Sequence, residues 1–116
     1  MREIILIGIN HKTAPVELRE CIAFSKDEAV TATEALRGRP HIHESLLYST
    51  CNRVELYSSC EHDDPHEALA ALHHYLLGHF DLTADQREAV TCYRLSHADA
   101  VRHLFRVVSG LDSMVL

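Results

Sequence analysis

Hydrophobic and polar positions along the chain change period several times, and each change marks an element. Residues 4–10 alternate loosely and are rich in isoleucine, the pattern of a buried strand. Asn10 to Pro15 reads as a loop, with Thr13 placed to cap a short helix that carries Val16, Leu18 and Ile22. Ser25, with Glu28 three residues on, has the form of a capping box. Ala29, Val30, Ala32, Thr33 and Leu36 give the helix that follows an apolar side, and Gly38 with Pro40 ends it. Residues 44–50 and 54–60 read as the strands of a hairpin. Asp64 and Pro65 open a helix in which Ala68, Leu69, Leu72, Tyr75 and Leu76 recur at helical spacing until Gly78. Thr83 caps a short acidic helical turn, and residues 90–93 form the expected last strand. Ser96 is the expected cap of a final helix, with Asp99 in its first turn. Its predicted core stripe is Val101, Leu104, Phe105 and Val108, with His103 at the stripe's edge near Ala100 and Val107.

Strands and helices alternate around a central hairpin. The pattern predicts an α+β fold, an antiparallel or mixed sheet of about four strands with helices packed on it, ferredoxin-like in arrangement. There is no internal repeat, and no G-x-G-x-x-G, so a dinucleotide-binding turn is not encoded in these residues.

Composition narrows the class. At 116 residues, 47% hydrophobic and 24% charged, the chain suits one globular domain rather than a disordered segment. Its net charge of −6 argues against gripping nucleic acid through a broad basic face, although a few residues suffice to read the end of an RNA. The apolar start from Met1 is interrupted by Gly8, Asn10, His11 and Lys12 before a signal-peptide core forms. A first strand and a cytoplasmic location are therefore expected, with no membrane association. The four cysteines, Cys21, Cys51, Cys60 and Cys92, show no C-x-x-C spacing, so reduced thiols are expected. Ten histidines are many for this length, but their spacings do not match the familiar zinc patterns, and solvated imidazoles are the expected outcome.

The chemistry concentrates at Ser49-Thr50-Cys51-Asn52-Arg53-Val54-Glu55. A thiol in a short strand-to-strand connection can face a cleft, and Arg53 can stabilise a thiolate or grip a carboxylate. Cys51 is thus a candidate nucleophile. The bland alternatives are a cysteine acting as a small hydrophobe, an Arg53 that pairs with Glu55, and a Thr50 that caps a strand end.

Three blocks together carry a family resemblance: Gly8-Ile9-Asn10-His11-Lys12-Thr13-Ala14-Pro15, the Cys51 block through Tyr57, and His103-Leu104-Phe105 with Ser109-Gly110-Leu111-Asp112-Ser113. They resemble the N-terminal catalytic domain of glutamyl-tRNA reductase, the enzyme that makes glutamate-1-semialdehyde for tetrapyrrole (porphyrin) synthesis. The resemblance implies that residues 1–116 are a glutamyl-tRNA-binding catalytic domain, cut before a spinal helix, an NADPH-binding domain and a C-terminal dimerisation domain. The apolar end at Leu116, without a helix stop, fits that expectation. It further implies Cys51 as the nucleophile whose thiolate attacks the glutamyl ester at the tRNA 3′ end. The thioester is then reduced by NADPH held in a domain outside this chain, so the chain by itself is expected to lack reductase activity. His103 is implied near the substrate, polarising the carbonyl or protonating the departing ribose oxygen. Arg53 is implied as the partner of the glutamate carboxylate, and Thr50, Asn52 and Ser113 as hydrogen-bonding contacts of the glutamyl group. The full enzyme is implied to be a homodimer.

Two other classes compete with this reading. One is a non-enzymatic module using cysteine and histidine to hold a metal or haem, which metal analysis of untagged protein would reveal. The other is a bare ferredoxin-like interaction domain, which selective labelling of one thiol at low pH would count against.

Overall fold

The computed structural model describes residues 2–10, 24–50, 53–61, 65–80 and 82–109. Its strands are β1 (Arg2–Asn10), β2 (Ile42–Ser49), β3 (Arg53–Glu61) and β4 (Tyr93–Ser96). Its helices are α1 (Lys26–Arg37), α2 (Pro65–His79), α3 (Ala84–Ala89) and α4 (His97–Val108). The strands form one sheet in the order β2-β3-β1-β4, and every neighbouring pair is antiparallel. With α1 between β1 and β2 and α2 between β3 and β4, this is the ferredoxin-like arrangement expected from the sequence.

The isoleucine-rich first strand is central, and both of its faces are covered. Ile5, Ile7 and Ile9 face one way, into a core with Ala32 and Leu36 of α1, Ala68, Leu72 and Leu76 of α2, and Val54 and Leu56 of β3. Leu6 faces the other way and packs with Tyr57 and Ala100 beneath α4. Burial on two faces explains why the alternation in β1 is only loose.

Local signals fix several boundaries. Ser25 and Glu28 form the capping box at α1, each accepting the other's backbone N–H, at 3.1 and 3.0 Å. Thr83 and Gln86 do the same at α3, at 3.1 and 2.9 Å. Pro65 opens α2. The helix expected after Thr13 lies outside the described residues.

Three expectations are corrected. The last strand occupies Tyr93–Ser96 rather than residues 90–93, because Val90 is drawn into the main core and pairing with β1 begins only at Tyr93 opposite Gly8. Ser96 stands at the N-cap of α4 but its side chain makes no capping hydrogen bond. His97 takes a positive φ of 57°, and its Nδ1 lies 2.6 Å from the Glu3 carboxylate. The strand therefore passes directly into the helix through one residue in the left-handed region.

The third correction concerns the buried side of α4. Ala100 is fully buried, whereas Val101, Phe105 and Val108 of the predicted stripe are 39%, 66% and 63% exposed. Leu104 of the stripe does pack with Leu6, Tyr57 and Ala100, so the buried face is the Ala100–Leu104 edge of the apolar arc. The small Ala100 lets the helix approach Leu6 and Tyr57 closely, and this rotation carries His103 onto the sheet. Among the described residues, no helix is long and apolar enough to cross a membrane.

Candidate active site

Alternation in β3 separates two kinds of side chain. Val54 and Leu56 face the α1–α2 core, while Arg53, Glu55 and Tyr57 face α4. Cross-strand register then builds rows on the α4 side. Glu55, Gly8 and Tyr93 stand opposite one another across β3, β1 and β4, with Tyr48 of β2 beyond Glu55. Arg53 and Asn10 form the neighbouring row, at the end of β3 that follows Cys51 and Asn52 in the chain.

Glu55 is the centre of this arrangement. Its side chain is fully buried. Oε1 accepts from the Tyr57 hydroxyl at 2.6 Å. Oε2 lies 2.5 Å from His103 Nε2 and 3.4 Å from Arg53 Nη1, and also accepts from the Tyr93 hydroxyl. A carboxylate offers about four lone-pair positions, and four groups converge on this one. Withdrawing a charge from water costs several kcal/mol unless partners of this kind replace the lost hydration. Burial, followed by the hydrogen bond to Glu55, pushes both tyrosine hydroxyls well above the ordinary phenol range. They are therefore protonated donors at neutral pH.

Gly8 makes the Tyr93 contact possible. A Cβ at position 8 would lie 2.5 Å from Tyr93 Cζ and 2.6 Å from its hydroxyl oxygen. The phenol crosses the central strand through space that any other residue would fill. His103 reaches the same carboxylate from α4, and its ring lies 5.5 Å from that of Tyr93. Its side chain is 15% exposed.

The structure thus joins two of the sequence-predicted site residues, Arg53 and His103, through Glu55, which the sequence alone offers only as a pairing partner of Arg53. Thr50 is exposed, and its backbone N–H donates to the carbonyl of Arg53 at 2.8 Å, closing the hairpin across residues 51–52. Cys51, Asn52 and Ser113 lie outside the described residues. Sequence reasoning missed Tyr57, Tyr93 and the steric role of Gly8. A signal existed for the first: arginine, glutamate and tyrosine at alternate positions of an otherwise apolar strand mark a buried polar face. Nothing local announces Tyr93, whose role depends on register.

Two further thiols can be placed. Cys60 is buried in the main core. Cys92 is partly buried, and burial pushes its thiol up to about 11. Several histidines are engaged one by one. His43 pairs with Glu61 at 2.7 Å, His79 with Glu28 at 3.1 Å, and His73 with Arg94 at 2.5 Å. Among the described residues, no three or more His, Cys, Asp or Glu side chains gather as metal ligands would. Gly8 is covered by Tyr93, Gly38 caps α1 and Gly78 lies within α2.

Fold and site define a class: an α+β domain whose second sheet face holds a buried polar cluster beneath a helix. Comparison with known proteins specifies it. Residues 7–116 match the family described as glutamyl-tRNAGlu reductase, N-terminal domain. The glutamyl-tRNA reductase of Syntrophotalea carbinolica is 46% identical over 112 residues, covering 97% of this chain and 25% of that protein. That of Exiguobacterium sibiricum is 44% identical over 115 residues, with 97% and 25% covered. The solved glutamyl-tRNA reductase from Methanopyrus kandleri superimposes with a TM-score of 0.66 at 34% identity, covering 96% of this chain and 23% of that one. The chain belongs to the glutamyl-tRNA reductase family and corresponds to its N-terminal domain. It spans about a quarter of the length of the curated relatives it matches.

Proposed function

We propose that this chain performs the acyl-transfer half of glutamyl-tRNA reduction, an early reaction of tetrapyrrole synthesis in the cytoplasm. The Cys51 sulfur attacks the carbonyl of the ester joining glutamate to the tRNA 3′ end. A carbon–sulfur bond forms, the carbon–oxygen bond breaks, and the tRNA leaves with a free ribose hydroxyl. The supporting observation is the convergence of Arg53 and His103 on one buried carboxylate, at the end of β3 that follows Cys51 in the chain.

Arg53 supplies fixed positive charge beside the reacting segment, suited to the glutamate side-chain carboxylate. Thr50, Asn52 and Ser113 complete the pocket for the glutamyl group. The acidic net charge fits a domain that takes only the aminoacylated end, with the tRNA body held elsewhere in the enzyme. NADPH and the dimer contact belong to the remaining three quarters of the enzyme.

The test is to incubate the chain with glutamyl-tRNA and quench in acid. Intact-mass and peptide analysis should find a glutamyl adduct on Cys51 that Cys51→Ser abolishes. An adduct on another cysteine, or none under conditions where the folded chain binds the charged tRNA, would overturn the assignment.

A further inference from the structure

The imidazole of His103 has two nitrogens, and the structure distinguishes them. Nε2 points at Glu55, 2.5 Å from Oε2. Among the described residues nothing engages Nδ1. The other groups converging on Glu55 are two hydroxyls and a guanidinium, and a guanidinium can only donate. With donors already on both carboxylate oxygens, the complementary arrangement is an Nε2–H given to Glu55 and a lone pair left on Nδ1.

We propose that Glu55 is a positioning residue that fixes His103 in the Nε2–H tautomer, so that Nδ1 is the atom that meets the substrate and carries the proton of the thiol-transfer step. This rests on the acyl-transfer reading given above. Nδ1 first accepts the Cys51 thiol proton as sulfur bonds to the ester carbon. It then returns that proton to the ribose oxygen as the carbon–oxygen bond breaks. Thiol and ester become thioester and alcohol, with no co-reactant. The imidazolium that exists between the two transfers faces the Glu55 carboxylate, the electrostatic complement of the charge it gains. The inference narrows the role of His103. In this tautomer a neutral His103 presents an acceptor to the substrate, so it cannot polarise the carbonyl as a donor until it has taken up the thiol proton.

Arg53 is held by the same carboxylate. One buried group therefore holds both the Arg53 guanidinium and the His103 imidazole. Tyr57 donates to one carboxylate oxygen, and Tyr93 shares the other with His103 and Arg53.

Two measurements test this. Ring-nitrogen NMR of the histidine-labelled chain at alkaline pH should show His103 protonated on Nε2 and bare on Nδ1. A proton on Nδ1 with Nε2 bare would overturn the inference, whatever the activity. Glu55→Gln keeps the shape of the side chain but removes the charge. Adduct formation on Cys51 should then fall by about 10²-fold, the scale of a lost acid–base contribution. Tyr57→Phe, which removes a donor on the opposite oxygen, should cost under about tenfold. Adduct formation in Glu55→Gln at the unmodified rate would sink the positioning role while leaving acyl transfer intact. Absence of any adduct in the unmodified chain would instead indict the acyl-transfer reading. If Glu55→Gln does not fold, the tautomer measured in the unmodified chain still decides.

Discussion

The Tyr93 ring lies over Gly8, in the volume that a side chain on the central strand would occupy. The two residues face one another in the β1–β4 register, and the phenol passes across β1 to reach Glu55 on β3. The glycine is therefore required by a neighbour and not by its own backbone angles.

Gly8→Ala should cost about 1–3 kcal/mol, the range for forcing a methyl into a filled site. The ring must move, and moving it breaks the hydroxyl's bond to Glu55. In a Tyr93→Ala background the same change should be nearly neutral. Urea unfolding of the four proteins closes the cycle, and equal costs of Gly8→Ala in both backgrounds would refute the steric account.

The two buried phenols predict how stability responds to alkali. Tyr57 and Tyr93 are both raised in the folded protein, by burial first and by Glu55 second. A group raised on folding contributes stability that is fully present below its unfolded value, about pH 10 for tyrosine, and that is lost as pH rises from there toward the folded value. Denaturant midpoints should fall above about pH 10, and Tyr57→Phe should make that fall shallower although it lowers stability at neutral pH. An unchanged slope in Tyr57→Phe would show that this phenol ionises as readily folded as unfolded.

What the sequence disclosed, and what it withheld, follows from the range of the interactions. The capping boxes at Ser25 and Thr83 span three residues and were legible, the first in full and the second without its Gln86 half. The hairpin and the α+β order came from period alone. Arg53 and His103 stood out by residue type within recognisable blocks. The carboxylate joining them did not, because a glutamate beside an arginine in a strand reads first as a surface pair. Only the register of four strands and the rotation of α4 reveal that Glu55 is enclosed. The buried edge of α4 has the same origin: Ala100 and Leu104 meet the sheet while Val101, Phe105 and Val108 of the same apolar arc do not, and tertiary packing chose the edge.

The thiols should separate by environment. Cys60 is fully buried and Cys92 is pushed up to about 11 by burial. At pH 8 only on the order of one in a thousand Cys92 thiols is ionised. Under brief iodoacetamide treatment of the folded chain, both should stay unmodified while Cys51 reacts, and raising the pH toward 11 should speed Cys92 most. Peptide mass mapping reads the outcome. Modification of Cys92 at neutral pH as fast as of Cys51 would contradict its burial-driven shift.

The rotation of α4 makes the last prediction, and it sets two positions on one helix against each other. Ala100 is fully buried against Leu6 and Tyr57, whereas Phe105 is 66% exposed. A larger side chain at residue 100 must push the helix off the sheet, and with it His103 away from Glu55. Ala100→Leu should therefore destabilise the fold by about 1–3 kcal/mol, the usual overpacking cost. It should also slow formation of the Cys51 adduct. Phe105→Ser removes a large apolar group from a solvent-facing position and should change stability by no more than about 0.5 kcal/mol. Were Phe105 and Val108 at the buried edge of the helix, the order would reverse. Phe105→Ser would then cost several kcal/mol and Ala100→Leu little, so comparing the two unfolding midpoints decides which side of the helix meets the sheet.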